Sequence, residues 1–240
     1  MPKRKPLIAG LVTPEVLAGA VAGEPSISES LSCCDVLELR YDLFPELEWS
    51  ALAARVRQLK PETVLLATIR LKRDGGAFEN DLAPRRRALW ESLLEEPECA
   101  DWFDMERESL ADAEVLRAKM RARKVKLLLS HHDFSGIPAE SELTRFAGDC
   151  KRVGADGFKV AGMSLKTGDS ESLYAFTEKN AMDFEWFSLF AMGETGRESR
   201  VKSLEFGANL TYGALQEALA PGQIPVREMR KMIDKLKESA

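Results

Sequence analysis

Short apolar runs alternate with segments of helical spacing along nearly the whole chain, and this alternation most constrains the fold. The runs are rich in aliphatic and β-branched residues and have the length of strands. The eight predicted strands are 6–12, 35–43, 63–70, 101–108, 124–132, 156–163, 184–192 and 207–214. The predicted helices are 47–60, 83–96, 109–123, 139–154, 171–182 and 226–240.

The alternation predicts an α/β protein, a single (β/α)8 barrel domain over residues 1–240. The chain has 240 residues, 45% of them apolar, which suits a barrel of about 250 residues. No Gly-x-Gly-x-x-Gly follows the first predicted strand, which argues against a dinucleotide-binding doubly wound sheet. No linker rich in Pro, Gly or Ser divides the chain. In such barrels catalytic groups lie at the C-terminal ends of the strands, so polar residues there are the candidates.

The net charge and the N-terminal sequence argue against some classes of function and location. A formal net charge of −5 argues against a general nucleic-acid surface, although local arginines can still bind a small anion. The N-terminal apolar run 7–12 is shorter than a secretory signal and far too short to span a membrane, so we expect a cytoplasmic protein. Cys33, Cys34, Cys99 and Cys150 lack zinc-site spacing, and we expect them to be reduced.

Charged residues occupy alternate positions in three predicted strands. On a half-exposed antiparallel strand they would form a solvated face, but in a barrel that face is the interior. Buried charges must pair with each other or with a ligand, so these strands predict one polar pocket. The residues are Glu38, Arg40 and Asp42 in the second strand, Thr68 and Arg70 in the third, and Asp104, Glu106 and Glu108 in the fourth.

The chain has two histidines, and they are neighbours at the end of the fifth predicted strand. Strand alternation lets only one of them face the pocket. Ser130 shares a face with His132, which favours His132 as the residue in the pocket. His131 shares a face with leucines and is expected to pack toward the helices or to form part of the pocket wall. A structural role is the alternative for either, but an imidazole in a pocket is the natural proton shuttle.

Lys159 lies inside a short apolar strand, between Phe158 and Val160. A low-dielectric site disfavours the ammonium and leaves a neutral amine that attacks carbonyl groups. The alternative is a buried ion pair with a carboxylate such as Glu106. A lysine nucleophile and a histidine base on adjacent strands would form the site of a Schiff-base enzyme.

Seven motifs in register resemble the type I 3-dehydroquinate dehydratase family. They are ELRYDLF, TIRLKRDGGAF, DMERE, SHHDFSGIP, FKVAGM, MGETGRESR and APGQ. The resemblance implies a barrel hydro-lyase of the shikimate pathway, and hence of chorismate and aromatic amino acid biosynthesis. It also implies a homodimer that acts on 3-dehydroquinate without a metal or an organic cofactor.

The resemblance also implies a role for each matching residue. Lys159 would form an imine with the C3 ketone, and His132 would act as general base and acid in a syn elimination of water. Arg200 would clamp the substrate carboxylate, and Gln223 would belong to a lid. The remaining carried-over residues are Asp74, in place of a glutamate that orients the histidine, and Glu38, Arg40 and Arg70, which would bind ring hydroxyls and order the pocket.

Three positions depart from the family pattern. Asp74 is one methylene shorter than the usual glutamate, and Leu219 and Gly10 replace serines that are common in the family. We expect weaker substrate binding rather than a loss of chemistry. Two other functions stay open: a Schiff-base aldolase or transaldolase, and a non-catalytic ligand-binding relative that has kept the pocket.

Overall fold

The computed structural model of the chain describes residues 4–238. The strands are β1 (Leu7–Val12), β2 (Val36–Arg40), β3 (Val64–Thr68), β4 (Trp102–Glu106), β5 (Lys126–Asp133), β6 (Gly157–Met163), β7 (Trp186–Met192), β8 (Leu210–Ala214) and β9 (Ile224–Pro225). The helices are α1 (Pro14–Val21), α2 (Pro25–Ser32), α3 (Trp49–Leu59), α4 (Arg86–Glu95), α5 (Leu110–Ala122), α6 (Glu140–Val153), α7 (Glu171–Asn180), α8 (Ser199–Lys202) and α9 (Val226–Glu238).

The strands form one curled parallel sheet, and the fold is the predicted (β/α)8 barrel. Its order is β7-β6-β5-β4-β3-β2-β1-β8-β9, so β7 and β8 meet at the seam. Asn209 joins the seam, because its N–H donates to the Phe187 carbonyl at 3.0 Å and its Oδ1 accepts from the Phe187 N–H at 2.8 Å. Every predicted strand and helix is present, and residues 239–240 of the last predicted helix lie outside the described residues.

Two hydrophobic cores lie on the two sides of the sheet. The outer core packs helices on strands, whereas the inner core fills one end of the barrel interior. There, Trp102 and Trp186 stack with ring centroids 3.8 Å apart. A Cβ at Gly157 would lie 2.6 Å from the Leu128 side chain and 3.1 Å from Trp102, so this position makes room for the stacked rings. These side chains fill the interior below the polar residues at the C-terminal ends of the strands.

Three short helices and one short strand were not predicted. The helices α1 and α2 both lie between β1 and β2, where the sequence is short and rich in Ser, Gly and Pro. Thr13 caps α1 by accepting from the Val16 N–H at 3.3 Å, a local signal that identifies the helix start. The four-residue α8 carries Arg200. In the described part of the chain, no helix combines the length and apolarity that a membrane span requires.

Candidate active site

An open cavity lies at the C-terminal ends of the barrel strands. Strand ends and the loops after them supply its walls, as the barrel prediction requires. All the residues that the sequence singled out for catalysis or substrate binding line this one cavity. They are Glu38, Arg40, Arg70, Asp74, His132, Lys159, Arg200 and Gln223.

Lys159 lies on β6 with 4% of its surface exposed. Its Nζ donates to Asp104 Oδ2 at 2.9 Å, lies 3.9 Å from Glu38 Oε1, and sits 4.0 Å from the centroid of the Tyr212 ring. The ion pair considered from sequence is therefore present, but Asp104 rather than Glu106 is the partner. Lys159 lines the cavity, whereas Asp104 is fully buried behind it and stabilises the ammonium.

Arg70 follows β3 and links the carboxylates around Lys159. Its Nη2 donates to Asp104 Oδ2 at 2.7 Å, and its Nη1 donates to Ser130 Oγ at 2.9 Å. The same Nη1 lies 3.3 Å from Glu106 Oε1. Glu38 Oε1 accepts from Thr68 Oγ1 at 2.7 Å and lies 3.8 Å from Arg70. These contacts confirm that Glu38, Arg70 and Asp104 point into the barrel from β2, β3 and β4. The same prediction is wrong for Glu108, which lies in a turn after β4, is exposed and faces the outward-pointing His131, because the strand alternation ends at Glu106.

Arg40 is held by its own neighbour along the chain. Asp42 accepts from Arg40 Nε at 2.9 Å and from Arg40 Nη2 at 2.7 Å, which is a bidentate pair. The Asp42 carboxylate also accepts from the Ala77 N–H at 2.9 Å, which connects this pair to the loop after β3. The guanidinium is thus fixed in one orientation at the cavity wall.

The two histidines on β5 point in opposite directions. His132 lines the cavity, and the neighbouring Ser130 hydrogen-bonds to Asp104 inside the barrel. His131 lies against Phe146 of the outer core, with ring centroids 6.1 Å apart, and its Nδ1 is 3.9 Å from Glu108. Burial, helped by the positive Arg70 and Lys159, holds the pKa of His132 well below its usual value. The cavity imidazole is therefore neutral at pH 7 and able to accept a proton.

Asp74 ends a single helical turn in the loop after β3. Its Oδ2 is buried without a hydrogen bond and lies 3.7 Å from Arg73 Nε. The Nδ1 of His132 is likewise buried without a hydrogen bond, so these two atoms do not bond to each other in this structure. Burial, with added repulsion from Glu106 and Glu108, raises the pKa of Asp74 to about 6.

Arg200 is a buried cation with 1% of its surface exposed. Its Nε and Nη2 donate to the Gly222 and Pro221 carbonyls at 3.0 and 3.2 Å, and its guanidinium lies 4.3 Å from the Phe190 ring centroid. Burial, together with the like charge of Arg197, lowers its pKa to about 10, and no carboxylate opposes that shift. An uncompensated buried guanidinium at a cavity wall is suited to binding an anionic ligand.

Gln223 closes a turn in the segment 219–223, which forms one rim of the cavity. Its Oε1 accepts from the Leu219 N–H at 2.7 Å and from the Ala220 N–H at 3.3 Å. Gly222 has φ +71°, and a Cβ there would lie 2.2 Å from the Gly193 carbonyl oxygen. The rim is therefore docked tightly on the end of β7, and Leu219, 47% exposed, presents an apolar side chain at the cavity.

The expectation that Gly10 marks a lost substrate contact is wrong. A Cβ at Gly10 would lie 2.6 Å from Cys34 Sγ and 2.9 Å from Leu215 Cδ2, both members of the outer core. The residue of β1 that lines the cavity is its neighbour Leu11. A hydroxyl at position 10 would therefore point away from the ligand, because successive residues of a strand face opposite sides.

Two residues that contact Lys159 were not among the candidate site residues. Asp104 was identified only as one of several interior charges, although it contacts both Lys159 and Arg70. Tyr212 on β8 lies under the lysine, and its hydroxyl is buried without a hydrogen bond. Burial, with Glu38 and Asp104 nearby, raises the pKa of Tyr212 well above its usual value. The argument used for β2 would not have found Tyr212, because at β8 the polar Asn209 and Thr211 share the face opposite to it.

The cavity combines a buried amine, a neutral imidazole and an unpaired guanidinium. The amine can attack a carbonyl group, the imidazole can move a proton, and the guanidinium can hold a carboxylate. Among residues 4–238, no group of three or more His, Cys, Asp or Glu side chains is arranged to hold a metal ion.

Comparison with known proteins identifies relatives of the whole barrel. The sequence pattern of the family described as type I 3-dehydroquinase matches residues 22–240. The 3-dehydroquinate dehydratase of Thermodesulfovibrio yellowstonii is 32% identical over 84% of this chain and 85% of its own length. That of Bacillus subtilis is 31% identical over 83% and 80%. The crystal structure of 3-dehydroquinate dehydratase from Geobacillus kaustophilus superposes with a TM-score of 0.87 at 26% identity, covering 98% of this chain and 93% of that one.

Proposed function

The chain belongs to the type I 3-dehydroquinase family and has the activity of its relatives, the dehydration of 3-dehydroquinate; we propose that an imine on Lys159 carries the reaction. The observation that carries this proposal is the position of Lys159, buried in the cavity wall beside Asp104 and on the strand next to His132. In the proposed sequence, Lys159 gives a proton to the neutral His132, and its amine attacks the C3 ketone. The hydroxyl of the resulting carbinolamine takes that proton back and leaves as water, which gives an iminium ion and restores the neutral imidazole.

His132 is the proposed base and acid. The iminium withdraws electrons from C2, so the neutral imidazole removes a C2 proton and an enamine forms. The enamine expels the C1 hydroxyl, which receives the proton from the same imidazole. Water then hydrolyses the new iminium, releases 3-dehydroshikimate and restores Lys159. One imidazole that serves both steps from one face of the ring accounts for a syn elimination.

The other cavity residues are proposed to bind and orient the substrate. Arg200, a buried cation without a carboxylate partner, would hold the substrate carboxylate. The Glu38 carboxylate and the fixed guanidiniums of Arg40 and Arg70 would bind ring hydroxyls and order the pocket. Gln223 would hold the rim turn that closes over the ligand.

Asp74 is proposed to orient His132, directly or through a water molecule. Both side chains lie on the cavity wall, and each has a buried atom with free hydrogen-bonding capacity. Because aspartate is one methylene shorter than glutamate, this contact requires either a movement of the loop after β3 or a bridging water molecule.

The assembly and the cellular setting are proposals, and the homodimer rests on the family resemblance. We propose a cytoplasmic homodimer in which each chain, residues 1–240, forms one domain. The single sheet that joins all the described strands supports the one-domain proposal. Light scattering coupled to size-exclusion chromatography measures the mass and contradicts the dimer if it matches one chain of 26.7 kDa.

Borohydride trapping tests the imine. The protein is incubated with 3-dehydroquinate, reduced and digested, and the peptides are weighed while the conjugated enone product is followed by absorbance. We expect a substrate adduct on the Lys159 peptide together with enone. The Lys159→Met variant should lose both, whereas Lys166→Met, a change at an exposed lysine, should lose neither. An adduct without enone would indicate the non-catalytic relative, and no adduct would refute the imine.

A further inference from the structure

A row of alternating charges leads from Lys159 through the barrel wall to helix α4. Lys159 pairs with Asp104 at 2.9 Å, and Asp104 pairs with Arg70 at 2.7 Å. Arg70 lies 3.3 Å from Glu106, and Glu106 hydrogen-bonds to Arg86. With Glu38, these residues form what we call the buried charge cluster, and every member is less than 5% exposed.

Arg86 differs from the other members because it lies outside the barrel strands. It is the first residue of α4, it does not line the cavity, and its surface is 2% exposed. Its remaining contacts are to the protein as well: Nη1 donates to the Ile69 carbonyl at 3.0 Å, and Nη2 donates to Ser109 Oγ at 2.6 Å. Arg86 is therefore placed to act on the cluster and not on the substrate.

The charge balance of the cluster depends on Arg86. With Lys159 as an ammonium, the cluster holds three cations, Lys159, Arg70 and Arg86, against the carboxylates of Glu38, Asp104 and Glu106. Attack on a ketone requires the neutral amine, which leaves one net negative charge in a cluster whose members are all buried. Without Arg86 that charge would be doubled, and the cluster would hold the proton on Lys159 more strongly.

We propose that Arg86 is a positioning residue that sets the pH range in which Lys159 is a nucleophile. The proposal rests on the proposed role of Lys159 as the imine-forming residue. The charged and titratable groups that face Lys159 are Glu38 from β2, Arg70 after β3, Asp104 from β4, His132 from β5 and Tyr212 from β8. Through Glu106, Arg86 adds a cation to this set from the helix layer.

The test measures the pH dependence of imine formation by borohydride trapping with 3-dehydroquinate. In Arg86→Gln the midpoint should move about one pH unit upward, the order expected of a unit charge roughly 10 Å away at an effective dielectric of about 20. Arg86→Lys should stay near the parent midpoint, and Glu106→Gln should move it downward. The double variant should return toward the parent. Arg87→Gln is the matched control, because Arg87 lies on the same helix, is 52% exposed and pairs only at 3.8 Å with Asp112.

Reductive methylation of Lys159 with formaldehyde and cyanoborohydride gives a second readout without substrate. The same shifts there, without any imine from 3-dehydroquinate, would refute the proposed function but support the role of Arg86. An unchanged midpoint in folded Arg86→Gln would refute the role of Arg86. If that variant does not fold, as judged by its melting curve, the Glu106→Gln shift decides: a downward shift supports the proposal, and no shift or an upward shift refutes it.

Discussion

Replacing Asp74 with asparagine should stabilise the protein at neutral pH. Burial and the nearby Glu106 and Glu108 raise the pKa of this carboxyl from 3.8 to about 6. The folded state therefore binds the proton more tightly than the unfolded state, so the parent loses stability as the pH rises from 3.8 through about 6. A shift of about two pKa units corresponds to about 3 kcal/mol, and screening by water in the open cavity reduces this to about 2 kcal/mol.

The assay compares the unfolding of the parent and Asp74→Asn at pH 8 and at pH 4.5. At pH 8 the variant should melt about 4–8 °C higher, because about 2 kcal/mol changes the melting temperature by that amount in a chain of this size. At pH 4.5 the difference should fall by about half, because the unfolded carboxyl is still largely ionised there, and it should vanish below pH 3.8. Asp81→Asn changes the same charge at an exposed site and should melt like the parent. A variant no more stable than the parent at pH 8 would refute the view that Asp74 is a strained buried charge.

The other predictions concern the roles of individual cavity residues. His132→Ala should lower kcat about 1,000-fold and His131→Ala less than tenfold, because only His132 lines the cavity; equal losses in steady-state enone production would contradict the assignment. Because the pKa of His132 is lowered, kcat should fall only below pH 6.5 as the imidazole becomes protonated, which a pH–rate profile checks. Arg200→Lys should raise KM about 10- to 100-fold with a smaller change in kcat, since lysine lacks the planar bidentate donor. Leu219→Ser should lower KM by adding a hydroxyl at the rim, and an unchanged KM would show that position 219 does not contact substrate.

Hydrophobic periodicity was sufficient for the barrel because the strands are short and apolar and most of them are separated by a longer amphipathic helix. The period-2 pattern also predicted which side chains of β2, β3 and β4 enter the interior, since alternation is a local property of the backbone. Alternation does not orient β1, where neither Gly10 nor Leu11 carries a polar side chain, and the expectation for Gly10 came from the family resemblance alone. The contacts that a Cβ at Gly10 would make show that this position faces the outer core.

Pairing inside the barrel depends on distances between strands, which alternation does not contain. Lys159 was expected to pair with a carboxylate such as Glu106, but the barrel brings Asp104 to it and leaves Glu106 to Arg70 and Arg86. The arginines at the start of α4 show most clearly that sequence alone does not identify the buried partner. Three arginines are consecutive in sequence, yet the side chains of Arg85 and Arg87 are 50% and 52% exposed, whereas that of Arg86 is 3% exposed.

Helical spacing shows that adjacent residues point in different directions, but it does not identify which one meets a buried carboxylate. That assignment needs the position of α4 over the end of β4. The charge that reaches the Lys159 cluster through Glu106 is therefore a property of the packed barrel, and it is absent from every motif by which the family is recognised. Substitutions in the helix layer can thus change the pH range of the reaction while the cavity residues stay the same.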